Sequence, residues 1–292
     1  MKLIQKLFYD PAWSIGYRFL KDDMLPSSKS KPEYHTIRAS RTKWYADPFV
    51  FHDGDNVYLF VEVKEIWTDK AVLGVSKLEG DHFSPIQTCL KENFHLSYPN
   101  VFKFQGNYYM IPETTKTHQL RLYKADNFPY SWKLDCILMD RVDYADCSFL
   151  NVNGSAYLFC YDTEKKPAQT VLYELFLDEK KLISRPLSKF INERPGGNAI
   201  QTAGAIYRPL QDCKNSYGDH LLLTKMDDAS PYSESLHDSI HMKDVIALRD
   251  RTNYKRIHTL NRSGNIEVVD FGFDKFYLTK FLRKIYIKLF IT

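Results

Sequence analysis

Apolar and aromatic residues in this chain come in short runs bounded by Gly, Asn, Asp or Pro, and three of these runs repeat one another. Trp44-Tyr45-Ala46-Asp47-Pro48-Phe49-Val50-Phe51 leads through Asp53-Gly54 into Val57-Tyr58-Leu59-Phe60-Val61-Glu62. Ser97-Tyr98-Pro99-Asn100-Val101-Phe102 leads through Gln105-Gly106 into Tyr108-Tyr109-Met110-Ile111-Pro112-Glu113, and Tyr144-Ala145-Asp146-Cys147-Ser148-Phe149 leads through Asn153-Gly154 into Tyr157-Leu158-Phe159-Cys160. Each unit reads as strand, glycine turn, aromatic strand. A repeat at about fifty residues is the period of propeller blades.

The same reading extends along the chain. Ala71–Ser76, Gln119–Ala125 and Val171–Phe176 supply third strands, and Trp132-Lys133-Leu134 opens a fourth. A fourth unit runs from Gln201 to Met226, and a fifth collects Val245–Leu248, Arg256–Asn261 and Ile266–Asp270. The predicted fold is all-β, a five-bladed β-propeller over residues 44–270 with a short basic C-terminal helix. Residues 1–43 form an N-terminal extension that contributes to ring closure, since a circular sheet closes by letting one terminus complete the blade of the other. Residues 271–292 form a basic amphipathic tail.

Charge sharpens the picture of that tail. It holds Lys275, Lys280, Arg283, Lys284 and Lys288 against Asp274, which equals the +4 of the whole 292-residue chain, so residues 1–270 are neutral overall. Apolar residues interleave with the bases at helical spacing, which suits either a helix on an anionic membrane surface or a terminal helix docked on the propeller. A neutral body excludes nucleic acid as an expected partner. The apolar part of Met1–Phe8 is too short for a signal peptide, and no run is long enough to cross a bilayer. Five cysteines without paired spacing read as reduced thiols. The expected location is the cytoplasm, with a peripheral place at the inner face of the plasma membrane through the tail.

Equivalent ends of radially arranged strands converge on the central funnel of a propeller, so polar residues at repeated positions face one another there. Asp47 and Asp146 hold matching places in the first and third units, and Asn100 is assigned the place in the second. Two acids across one cavity raise each other's pKa and divide acid and base roles; otherwise each Asp caps a turn. Glu62 and Glu113 close aromatic strands, where a carboxylate is either at the rim or buried with a partner such as Lys64 or Arg121. The Arg194-Pro195-Gly196-Gly197-Asn198 turn allows close ligand approach, and Arg194 has the planar fork that grips phosphate or carboxylate. Arg208, Gln211, Asp212 and Tyr217 follow, with Tyr98 and His258 at the openings of other units. These residue types suit sugar or sugar-phosphate recognition, and Arg beside acids also suits a structural ion pair. Asp227-Asp228 reads equally as an acidic turn or as ligands for a hard divalent ion. No nucleotide-binding glycine loop, Gly-x-Ser-x-Gly elbow or Cys/His catalytic arrangement occurs.

Taken in order, Trp44–Phe49, Ser97–Phe102, Ile111-Pro112-Glu113, Asp146–Phe149, Tyr207-Arg208-Pro209-Leu210-Gln211-Asp212-Cys213 with Tyr217-Gly218, and His258–Asn261 resemble a known domain. It is the propeller at the N-terminus of plant glucosamine inositolphosphorylceramide transferases and in bacterial polysaccharide-biosynthesis proteins. That domain in turn resembles the five-bladed propellers of glycoside hydrolase family 43. The hydrolase likeness implies a base at Asp47, a tuning aspartate at Asp146 and an acid at Glu113. The Arg-Pro-Leu-Gln-Asp-Cys segment belongs to the biosynthetic branch and departs from the hydrolases. The expected function is therefore a glycosyltransferase of capsule, O-antigen or related polysaccharide synthesis. Its partners would be an activated sugar donor and a glycan or lipid-linked acceptor. Arg194 and Arg208 would hold the donor's phosphate, and Mg²⁺ would accompany a sugar-diphosphate or phosphoribosyl pyrophosphate donor. A family 43-like glycoside hydrolase and a non-catalytic glycan-binding propeller are the alternatives.

Overall fold

The computed structural model describes residues 7–22, 24–27, 30–227 and 232–290. Met1–Lys6 and Asp228, on which two of the sequence readings fall, lie outside them. Among the described residues five sheets form five blades, antiparallel throughout except for the parallel pairing of Glu33–Ile37 with Ile246–Ala247. Blade one contains Lys43–Asp53, Asn56–Glu65 and Ala71–Glu79, edged by His82–Phe83 and Gln87–Leu90. Blade two is Ser97–Phe104, Asn107–Glu113, Gln119–Asn127 and Ser131–Asp140, and blade three is Tyr144–Val152, Ser155–Asp162, Gln169–Phe176 and Lys181–Arg185. Blade four begins earlier than the sequence pattern suggests: its inner strand is split into Arg194–Pro195 and Ile200–Thr202 around the two glycines. Ala205–Asp212, His220–Met226 and Glu234–His241 complete it.

The ring closes in blade five. Leu260–Ser263 is innermost and Ile266–Phe276 is next, and Tyr9–Phe19 pairs with Ile266–Phe276 along its whole length, from Tyr9 opposite Phe276 to Phe19 opposite Ile266. Glu33–Ile37 and then Ile246–Ala247 lie outside. The first and last described strands of the propeller are thus joined by main-chain hydrogen bonds, which fastens the ring and leaves only the short outer edges of the blades.

Burial follows the seams between blades. Among the described residues five apolar clusters occur, one at each junction of neighbours. Phe60 and Leu73 meet Tyr98 and Met110 between blades one and two, and Ile111 and Leu122 meet Leu158 and Cys160 between two and three. Phe159 meets Ile206, Leu221 meets Phe271, and Ile15 and Val268 meet Leu59 and Val61 at the other three. Both faces of each blade are covered, which explains aromatic strands that lack clean alternation. The funnel is left to polar groups.

The expected basic C-terminal helix over residues 271–292 is corrected. Phe271–Phe276 is the end of the second strand of blade five, held there by pairing with Tyr9–Ser14. Lys280–Phe290 winds helically after a turn at Tyr277, but it folds back on the propeller. Lys280 and Arg283 are buried against Asp10, with nitrogen–oxygen distances of 2.8 and 2.6 Å. There is no free-standing basic helix, because its first bases neutralise a blade-five carboxylate. Among the described residues no helix is long and apolar enough to cross a membrane.

Candidate active site

Each of the first three inner strands carries a β-bulge near its start, between Ala46 and Phe49, Ser97 and Asn100, and Ala145 and Ser148. At all three the residue after the last paired position has left-handed backbone: Asp47 with φ 48°, Tyr98 with φ 51° and Asp146 with φ 48°. Such a conformation costs a non-glycine residue roughly 1–2 kcal/mol and clusters where a side chain is re-aimed for function. The bulge turns these three side chains into the funnel. It also corrects one assignment: Tyr98, not Asn100, is the blade-two counterpart of Asp47 and Asp146. Asn100 lies past the bulge and clips blades together, donating Nδ2 to Cys147 O at 2.7 Å and accepting from Asn198 Nδ2 at 3.0 Å.

Asp47 is almost wholly buried, and its carboxylate accepts from Tyr98 N and Thr259 Oγ1, both at 3.1 Å. His258 Nε2 stands 3.4 Å from it, and His258 Nδ1 stands 2.8 Å from Asp270. Burial pushes the Asp47 carboxyl up to about 7; His258 opposes this, and Asp146 and Asp270 add to it. Burial alone would lower the His258 pKa, but Asp270 and Asp47 outweigh it and the ring titrates above its ordinary value. Trp13 closes the site from behind, its ring 4.1 Å from the imidazole centroid.

A second group meets at Asp146. Arg194 Nε is 2.5 Å from its Oδ2, Gln211 Nε2 donates to the same oxygen at 2.6 Å, and Arg194 reaches Glu113 at 2.9 Å. Burial raises the Asp146 carboxyl to about 6, with Arg194 opposing and Glu113 reinforcing. Asp146 Oδ1 and Gln211 Oε1 are buried acceptors with no protein donor. Buried acceptors without a donor are rare in folded proteins and mark places where a catalytic role, a water or an ion completes the hydrogen bonding. The Arg194 guanidinium lies 5.9 Å from the half-exposed Tyr217 ring, and Tyr217 touches His258 edge-on, which joins the two groups. Glu113 and Arg194 line an open cavity of about 440 Å³ together with His95, Thr115 and His118. Glu62 lies beside Asp47 on the paired strand, 3.5 Å from His95 Nε2. Burial and then Asp47 hold its carboxyl well above the ordinary range, and burial with Lys64 and Lys116 pushes His95 down to about 4.

The frame around these groups is tied between blades. Tyr98 Oη lies 2.8 Å from Ser148 Oγ and accepts from Gly197 N at 2.6 Å. Gly197 passes so close to blade five that a Cβ there would sit 2.0 Å from Leu260 O, which requires glycine.

The structure therefore brings together Asp47, Glu62, Tyr98, Glu113, Asp146, Arg194, Gln211, Tyr217 and His258. Two predicted contacts stand apart. Arg208 has no exposed surface, pairs with Glu234 at 2.7 and 3.0 Å and lies over the Phe159 and Phe190 rings, so it stitches blades three and four and faces no ligand space. Asp212 caps Lys214 N at 2.9 Å. Asp227 accepts from Ser233 Oγ at 3.0 Å. Of the partners anticipated for the glutamates, Lys64 does act on Glu62, with His95 beside it, whereas Glu113 has Arg194 instead of Arg121. Asp270 and Trp13 were missed. A fully buried aspartate inside the apolar run Ile266–Phe271 was the available signal for the first; ring closure alone brings in the second.

Asp47, His258 and Asp270 present ligand atoms within 4.8 Å of one another, close enough to hold a metal ion. As they stand they hold each other. Asp270 accepts from the main-chain amides of Asp47, His258 and Thr259 at 3.0–3.1 Å besides facing the imidazole, so little of its lone-pair capacity is left for a cation.

Comparison with known proteins agrees with this architecture. Residues 34–264 match the family described as glucosamine inositolphosphorylceramide transferase 1, N-terminal. Glucosamine inositolphosphorylceramide transferase 1 of Oryza sativa subsp. indica and of Arabidopsis thaliana are 33% and 32% identical over 198 residues, which is 64% of this chain. The chain spans 26% of the length of these relatives. Among solved structures, a thermostable family-43 glycoside hydrolase shares the fold with a TM-score of 0.59 at 12% identity, covering 83% of this chain and 92% of that one. The α-L-arabinofuranosidase PaAbf62A of Podospora anserina also gives 0.59, at 11% identity, covering 86% and 85%. The catalytic domain of the Coprinopsis cinerea GH62 α-L-arabinofuranosidase gives 0.59 at 14% identity with the same coverage. At these identities the likeness concerns the fold.

Proposed function

This chain belongs to the glucosamine inositolphosphorylceramide transferase 1 N-terminal family, and from that premise we propose that it is a carbohydrate-active enzyme working at an anomeric carbon in the propeller mouth. One observation carries the reading: Asp47 is turned into the funnel by a strained bulge and is buried beside His258 with a carboxyl poised near neutrality. A base is most effective when its pKa is near the working pH, and such tuning concentrates at active sites. Asp47 takes the proton of the attacking hydroxyl. Asp146, held by Arg194 and Gln211, orients the sugar, and the Tyr217 ring offers a stacking face at the rim.

Two acceptors divide the finer reading. Water as acceptor gives hydrolysis, which the shared fold of the family-43 and GH62 enzymes supports best. Such a reaction also needs an acid to protonate the leaving oxygen. Glu113 is tied to Arg194, and Glu62, whose carboxyl stays protonated to higher pH, adjoins Asp47 instead of opposing it. A glycan hydroxyl as acceptor gives transfer, which the Arg194 cation favours, because a phosphate leaving group needs charge stabilisation more than a proton. In that reaction the donor diphosphate would bring Mg²⁺ as a hard, oxygen-seeking ion.

The test incubates purified protein with aryl furanosides, and separately with sugar diphosphates or phosphoribosyl pyrophosphate plus glycan acceptors, with and without Mg²⁺. Free sugar from the first set establishes hydrolysis, and a lengthened acceptor from the second establishes transfer. Turnover that persists in Asp47→Asn refutes the site.

A further inference from the structure

A second cavity of about 320 Å³ lies across the seam of blades five and one, separate from the funnel. Its walls include Asp10, Trp44, Lys64, Tyr277, Lys280 and Arg283, three cations against one carboxylate. Asp10 is used by Lys280 and Arg283. The Lys64 side chain makes no hydrogen bond or close salt bridge among the described residues, although it is half-buried and lies within the field of the Glu62 and Asp69 carboxylates. Two further polar atoms in this wall are buried without a partner: Arg283 Nε and the Tyr277 hydroxyl, in side chains that are 5% and 8% exposed. An ammonium with no hydrogen-bond acceptor, an unmatched guanidinium N–H and an unmatched hydroxyl around one opening are the donors that bind phosphate oxygens. Trp44, in its wall, is three residues before Asp47 on the same strand, roughly 10 Å away along the main chain.

We propose that this cavity is a phosphate subsite that takes the phosphate or diphosphate of a substrate whose sugar enters the funnel, with Lys64, the Tyr277 hydroxyl and Arg283 as its donors. The use of the subsite during turnover rests on the function proposed above; the binding itself does not. The Lys64 ammonium and the Tyr277 hydroxyl meet the outer oxygens, and Arg283 Nε approaches from below while its other nitrogens stay on Asp10 and Ile66 O.

The test is calorimetric titration of the full chain with inorganic pyrophosphate. The wild type saturates, and Lys64→Ala and Tyr277→Phe each weaken binding by about tenfold, the 1.4 kcal/mol equivalent of one charge-assisted contact, without lowering the melting temperature. Asp47→Asn binds pyrophosphate as the wild type does, which separates this claim from the catalytic one. Glucose 1-phosphate and farnesyl diphosphate in detergent then identify the source: tighter binding of the first indicates a soluble sugar phosphate, and of the second a lipid-linked one. Absence of saturation at millimolar pyrophosphate overturns the proposal, as does equal binding by Lys64→Ala and Tyr277→Phe.

Discussion

His258 stands with Nε2 3.4 Å from the Asp47 carboxylate, although 211 residues separate the two in the chain. The contact joins the first inner strand to the residues that open the last. It gives Asp47 a cation that moderates the cost of its burial. It also places an imidazole where a proton leaving the base can be shared.

Wild-type stability should fall as pH rises from about 4 to about 7. A buried Asp47 that titrates near 7 keeps its proton in the folded state while the unfolded chain releases it near 3.9, so folding holds the extra proton across that window. The raised His258 pKa acts in the same direction, since the stability it contributes below its unfolded value is lost on deprotonation. The Asp47 part is on the order of 4 kcal/mol at most. Urea denaturation at pH 5 and pH 8 should show a smaller drop for Asp47→Asn than for the wild type.

Arg208→Met should destabilise the fold by about 3–5 kcal/mol, because it leaves Glu234 buried without its partner. The double variant Arg208→Met/Glu234→Leu should recover most of the loss. Denaturant midpoints measure both. A single variant that keeps full stability would show that this pair does not brace the strands of blade four.

Tyr98→Phe should cost about 1–3 kcal/mol by leaving Gly197 N without its acceptor in a dry seam. The melting temperature records the loss. Turnover per folded molecule should also fall, since the same hydroxyl fixes the Ser148 and Gly197 walls of the funnel.

Arg194→Ala should abolish turnover and raise the Asp146 pKa further, since the cation that opposes its burial would be gone. Arg194→Lys should restore less than the wild type, because a point charge cannot span both carboxylates as the guanidinium fork does. Proton uptake between pH 4 and 8, followed by titration of the folded variants, tests the shift.

Strand runs, blade period and the Asp47 and Asp146 positions were legible because bulge, turn and aromatic strand recur in the same order. Aligning Asp47-Pro48 with Tyr98-Pro99 already contains the blade-two counterpart; attention to side-chain polarity drew the eye to Asn100 instead. Arg208 looked like a ligand group because its partner Glu234 lies on a strand two hairpins away and nothing local marks the pair. Asp270 was signalled by its place inside the apolar run Ile266–Phe271, whereas Trp13 became visible only on ring closure, which places Tyr9–Phe19 beside Ile266–Phe276. The basic tail misled because helical spacing of bases says nothing about Asp10 waiting on blade five.

The most direct test is the pH dependence of kcat/KM for wild type and Asp47→Asn on whichever sugar substrate the screen identifies. With Asp47 as the base, wild-type activity rises with pH and levels off above about 7, as the carboxylate forms, and Asp47→Asn loses about 10²–10⁴-fold without that rise. A variant that keeps both the rate and the rise would contradict the assignment.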